Sequence, residues 1–198
     1  MNKFELWYPV KNPFVISQKF GENPEFYQRE YDMKSHNGWD IVGVVGQIIR
    51  ASHDGIVTFT GEDGRGGLGV VVRSEEKYWY EPIQEWVYFK TVYWHCLPGS
   101  FAVKPGDKVK IGTALAKCDS TGFTGNSHLH FGLKPVLKGE QDWEWYNLEQ
   151  NNGWFGSIDP EPFFNKYYAE DAQLVLSILS KIKELLLKVV SLLKLNIK

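Results

Sequence analysis

Apolar and polar residues alternate in short runs through most of the chain and take up a helical period only near its end. From about residue 14 to 134, β-rich stretches such as IVGVVGQIIRAS, GIVTFTG, LGVVVRS, EWVYFKTVYWHCL, TALAKCD and HLHFGLKPV are broken by Gly, Pro, Asn and Asp. That texture predicts antiparallel strands joined by tight turns, and no helical period is visible within it. The turns carry their own chemistry: EDGRGG links two strands, and in VKPGDKVKIG the run Pro105-Gly106-Asp107 supplies the φ values of a tight turn.

After Asp159-Pro160 the texture changes, and from Asp171 onward DAQLVLSILSKIKELLLKVVSLLKLNIK predicts one long helix. Val175, Ile178, Ile182, Leu185, Val189 and Leu192 follow a heptad, and Leu179, Leu186 and Leu193 widen the stripe. Interspersed charges argue against a membrane-spanning helix. The stripe must nevertheless bury against something. Membrane-surface contact or self-association is expected ahead of docking on the sheet, because the pattern runs past about six turns and Lys181, Lys183, Lys188, Lys194 and Lys198 outnumber Asp171 and Glu184. The expected organisation is a mainly β, antiparallel, open barrel or sandwich-like core over residues 1–168 and a C-terminal amphipathic helix over 169–198.

Two segments interrupt the strand pattern, Glu75–Lys90 and Lys138–Ser157, both rich in Trp and Tyr. Covering a sheet edge and walling a substrate groove are equally good readings of such insertions. Composition sharpens the picture only in places. At 198 residues, 43% hydrophobic and 23% charged, the chain is an ordinary globular one, but an aromatic share of 15% exceeds what a small core needs, so some rings are expected to line a groove. The net charge of −2 and the absence of a dense Lys/Arg run before residue 181 exclude the usual nucleic-acid footprint. The opening MNKFELWYPVKNPF has no apolar stretch with a small-residue cleavage site, so synthesis without a secretory leader and initial residence in the cytoplasm are expected. Reduced thiols are expected for Cys96 and Cys118, with a single bridge as the alternative.

The histidines carry the chemistry. Four of the five fall in tight contexts: Ser-His36-Asn-Gly-Trp-Asp40, Tyr93-Trp-His95-Cys and Ser-His128-Leu-His130-Phe. His36 and Asp40 are spaced to share one metal ion, and His128 and His130 point to the same face of a strand. Three N/O ligands with one vacant position make a catalytic zinc site rather than a structural one. HExxH is missing, so histidine must supply the base: His95 and one member of the HxH pair remain once three ligands are assigned. Residues alone do not separate His128 from His130. His53, in ASHDGIV, lies outside any such context and is expected at the surface or a strand end.

HNGWD, YWHC, KPGDKVKIG, STGFTGNSHLHFGL and SIDPEPFF together resemble, over about residues 14 to 165, the lysostaphin/LytM-type zinc endopeptidases of peptidoglycan. The resemblance implies Zn²⁺ held by His36, Asp40 and His130, with His95 and His128 as the catalytic histidines that bind and activate water. It also implies hydrolysis of stem peptides or cross-bridges, in a phage-endolysin-like role that reaches the cell wall after release. Cys96 and Gly132 depart from the usual Leu and Glu, and the aromatic insertions are not general features of the family. The alternative is a catalytically inactive relative that regulates another wall hydrolase, against which the complete ligand set argues. A biotinyl-type carrier barrel fails for want of its modified lysine.

Overall fold

In the computed structural model, which describes residues 3–11, 15–137 and 152–195, the strand texture becomes twelve strands in chain order. They are β1 (Leu6–Tyr8), β2 (Ile16–Gln18), β3 (Trp39–Val42), β4 (Ile48–Arg50), β5 (Gly55–Asp63), β6 (Gly67–Ser74), β7 (Tyr78–Tyr80), β8 (Glu85–Trp94), β9 (Lys108–Val109), β10 (Ala114–Lys117), β11 (His128–Val136) and β12 (Phe164–Tyr168). The main sheet runs β2-β3-β11-β8-β6-β5-β9, with β7 paired onto β8. It stays open, and its pairings are all antiparallel. β4 and β10 form a second antiparallel pair. β1 and β12 meet in parallel and bring the two ends of the β body together.

Alternation explains which face is buried. Ile41, Val57, Val70, Val72, Phe89, Leu129, Phe131 and Leu133 share one core with Leu6, Ile49 and Leu115 from the strand pairs outside the main sheet. The parallel pair is sealed by rings, Phe164 stacking on Trp39 at 4.7 Å and on Tyr8 at 5.1 Å, the offset geometry aromatic quadrupoles favour.

Two local expectations need correction, and one open alternative is narrowed. A helix, α1 (Pro24–Tyr31), interrupts the region read as sheet and loop. Its signals are short ones: Pro24 at the first turn, and left-handed Asn23 and Asp32 closing its two ends. His53 is not at the surface. It is buried, with Nδ1 2.8 Å from the Asp54 carbonyl and Nε2 2.9 Å from Thr91 Oγ1, in a network that continues to Tyr93 Oη. The first aromatic insertion is the β7–β8 hairpin, and it packs into the core rather than walling a groove. Tyr78 and Phe89 close on Phe4, while Trp79 and Trp86 pair edge to face on the outside. Most of the second insertion, Trp143 and Trp145 included, lies outside the described residues. Cys96 and Cys118 are buried free thiols facing each other across an isolated bridge, and burial pushes the Cys96 thiol up to about 12.

α2 (Ala172–Leu195) is the long terminal helix. Among its described side chains only those of the start of the helix are covered, by Trp7 and Ile111.

Candidate active site

β11 sits at the centre of the site because its neighbours on both sides contribute to it. His130 is directly opposite Asp40 on β3 and opposite Trp94, the last residue of β8. His128, two residues earlier, points to the same face, and His95 follows β8 at once. Strand register therefore gathers residues spread over more than ninety positions.

His36 is buried and lies 3.1 Å through Nδ1 from the Lys19 carbonyl. That carbonyl can only accept, so the ring proton belongs on Nδ1 and Nε2 is left with its lone pair turned inward. Nε2 is 3.0 Å from His130 Nδ1 and 3.1 Å from Asp40 Oδ1, and His130 Nδ1 is 2.9 Å from the same oxygen. The result is a near-equilateral triangle of two imidazole nitrogens and one carboxylate oxygen. Tetrahedral zinc ligands at about 2.0–2.1 Å stand about 3.3 Å apart, so the residues present fit that ion with little adjustment.

Burial works to raise the Asp40 pKa, but hydrogen bonds led by those from His128 and His130 outweigh it and hold the carboxyl well below the usual range. Burial lowers the His130 pKa against the opposing pull of Asp40. An anionic carboxylate beside a neutral imidazole is the protonation state a divalent cation requires.

Glycine is dictated where the ligand segments cross. A Cβ on Gly38, inside HNGWD, would stand 2.5 Å from the Phe131 carbonyl oxygen and 2.9 Å from His130 Nε2. Gly67 and Gly122, both at positive φ, bring the β5–β6 turn and the STGFTG loop into backbone contact, with a Cβ on Gly122 only 2.4 Å from Gly67 N. This approach places the Thr121 carbonyl 2.6 Å from His95 Nδ1. His95 itself adopts φ 65°, an uncommon conformation for a side-chain-bearing residue, and here its ring lies 6.1 Å from that of His130. With Nδ1 donating to Thr121, Nε2 remains a proton acceptor. Burial, reinforced by His130 and His128, brings its pKa down to about 4.

His128 Nδ1 is 2.9 Å from the Asn126 carbonyl, and Nε2 is 3.4 Å from Asp40 Oδ1. Burial opposes its charged form, yet Asp40 prevails and the pKa is raised. Its ring centroid is 4.5 Å from that of His95. All five residues expected at the site are thus together, and His53 stands apart in the core.

A groove of about 910 Å³ runs over this cluster. The expectation of aromatic walls holds, with Phe155 from the described end of the second insertion and the other rings from outside both insertions. α1 supplies Phe26, Tyr27 and Tyr31, and Phe123 and Phe155 come from loops. Tyr27 lies 5.2 Å from the His36 ring, Tyr31 meets Phe123 at 5.9 Å, and Arg65 caps Tyr31 at 4.8 Å. The i, i+4 spacing of Tyr27 and Tyr31 on a short helix was the available signal.

An open antiparallel sheet carrying two histidines and an aspartate at one point, with two more histidines beside them, defines a LytM-type peptidase. The family model described as peptidase family M23 matches residues 34–142, over half of the chain, and the chain belongs to that family. Among solved structures it is similar to a zinc containing peptidase from Vibrio cholerae, at 25% identity and TM-score 0.51 over 71% of this chain and 41% of that one. It is also similar to the antimicrobial peptidase lysostaphin from Staphylococcus simulans, at 21% identity and TM-score 0.56 over 82% of this chain and 53% of that one. The catalytic domain of the prophage-encoded protein EnpA from Enterococcus faecalis matches at 22% identity and TM-score 0.54 over 79% and 95% of the two chains. The chain therefore spans about two fifths of the Vibrio cholerae peptidase and about half of lysostaphin.

Proposed function

We propose that this member of the family is a zinc-dependent endopeptidase acting on the peptide part of peptidoglycan, at a stem peptide or cross-bridge. The observation that carries the reading is the triangle of His36 Nε2, Asp40 Oδ1 and His130 Nδ1, with edges of 2.9 to 3.1 Å, beside two histidines whose outer nitrogens are held by carbonyls. His36, Asp40 and His130 would hold the ion. Zinc bound there would supply Lewis acidity, polarising a carbonyl and acidifying water. His95, its Nδ1 proton fixed on Thr121, offers Nε2 to accept a proton from the attacking water. His128 donates Nδ1–H to the Asn126 carbonyl; in the charged form that Asp40 favours it also carries a proton on Nε2 and can donate it to a carbonyl oxygen gaining negative charge. The aromatic walls would orient an extended peptide and exclude bulk water from the reacting bond.

A lytic, endolysin-like role on the wall after release belongs to the same reading and rests on the resemblance of the motifs. Metal analysis of the purified chain combined with digestion of sacculi of several wall chemistries tests it, with released peptides identified by mass spectrometry. One zinc per chain, lost on His36→Ala, Asp40→Ala or His130→Ala together with peptide release, is the expected result. Full zinc in all three variants would overturn the ligand set, and bound zinc with no released peptide from any wall would favour the inactive regulator.

A further inference from the structure

α2 leaves a large apolar surface uncovered among the described residues. Its root is fixed: Ala169 and Ala172 are buried with Trp7, and Lys11 Nζ holds Asp171 Oδ1 at 2.8 Å. Beyond that turn Ile178, Ile182, Leu185, Leu186, Val189 and Val190 are all exposed, Leu185 to 61%. At about 100° per residue these positions share one arc of about 140°, which Leu176 and Leu187 extend. Lys181 and Lys188 line one edge of the arc and Lys183 interrupts the other, while Ser177, Ser180, Glu184 and Ser191 occupy the remaining side.

This charge placement selects the occupant. No described helix is long and apolar enough to cross a membrane. A bundle of copies would set lysine-edged flanks against one another, and Glu184, the one acid of the helix, lies away from the seam, where it cannot complement them. Lysines bordering an apolar arc can instead lay their stems along it and carry their ammonium groups to phosphates. From Ala172 onward the chain has five lysines against one glutamate, although its overall charge is −2. The helix is thus a cationic element on an acidic body.

We propose that α2 is an interfacial anchor that lies along the surface of an anionic phospholipid bilayer, with its apolar arc at the acyl boundary and its lysines among the headgroups. This assignment does not depend on the catalytic reading, since it concerns lipid affinity alone.

The test is co-sedimentation of the full chain with vesicles of phosphatidylcholine alone or mixed with an equal part of phosphatidylglycerol, together with sedimentation velocity without lipid. Binding to the anionic vesicles, weakened by salt, and a monomer in solution are expected. Replacing Lys181, Lys183 and Lys188 together by Glu leaves the exposed helix and the β body unstrained. It should lower the affinity by at least about a hundredfold, since removing each lysine charge costs roughly fivefold at an anionic surface and the added glutamates repel it further. Ile182→Ser with Leu186→Ser should abolish binding without altering the melting temperature. Absence of binding, equal binding to neutral vesicles, or no loss on charge reversal would overturn the proposal. So would a lipid-free oligomer that the serine variant dissociates, which would assign the surface to a second copy.

Discussion

His53 gives a quantitative handle on the β core that is independent of the metal site. Burial drives its pKa down from 6.5 to about 4, against the small opposing pull of Asp54, so the folded protein holds a neutral ring between Asp54 and Thr91. The unfolded chain binds a proton near the ordinary value. A depressed folded pKa therefore leaves stability untouched above about pH 6.5 and removes it as the pH falls toward 4. The loss approaches about 3 kcal/mol at the acid end and is already about 2 kcal/mol at about pH 5. His53→Gln replaces the titrating ring with an amide of similar reach. It should be less stable than the parent at neutral pH by about 1–3 kcal/mol, through imperfect hydrogen bonding. Yet between neutral pH and about pH 5 it should lose about 2 kcal/mol less than the parent does. Urea unfolding of both proteins at the two pH values measures this difference, and the other histidines, common to both, cancel. Parallel pH dependences would show that His53 is not held neutral and buried, and would refute the reasoning.

The site makes two further demands. His95→Ala and His128→Ala should keep zinc yet lose hydrolysis by roughly 10²-fold or more, the scale of a deleted base or donor; wild-type rates with wild-type metal content would remove them from the mechanism. Gly122→Ala, at φ +84° and with its Cβ 2.4 Å from Gly67 N, should displace Thr121 and with it the His95 ring, costing roughly 10- to 100-fold in rate. Zinc content should be unchanged, and unaltered turnover would show that the Gly67–Gly122 approach does not position His95.

Much of the site was legible because its chemistry sits in compact words. HNGWD fixes two atoms of the triangle and the glycine between them, and HLH fixes one strand face by the period of two. What residues alone could not decide was which member of HLH joins the triangle. That depends on register: His130, not His128, falls opposite Asp40, and the pairing partner lies ninety residues away. His53 was misread for the same reason, since Thr91, the group that satisfies its Nε2, is 38 positions distant and nothing local marks the ring as partnered. α1 escaped because eight residues make barely two turns, too few for a hydrophobic period to emerge from a strand-rich background.

That missed helix also changes how the groove is understood. Aromatic residues in the two insertions were the obvious candidates for its walls, but the β7–β8 hairpin spends its buried rings on Phe4 and Phe89, at the end of β8 remote from His95. Beside Phe155 of the second insertion, the described wall comes from a short segment immediately before His36, so that Tyr27 packs on His36 itself and Tyr31 reaches Phe123. Because α1 lies within the short stretch closed by the hydrogen bond from His36 N to Glu22 O, a shift of the wall cannot be independent of His36. The groove wall and the geometry of the His36–Asp40–His130 triangle are therefore coupled through one stretch of chain, Glu22 to His36, and changes in α1 should alter both together.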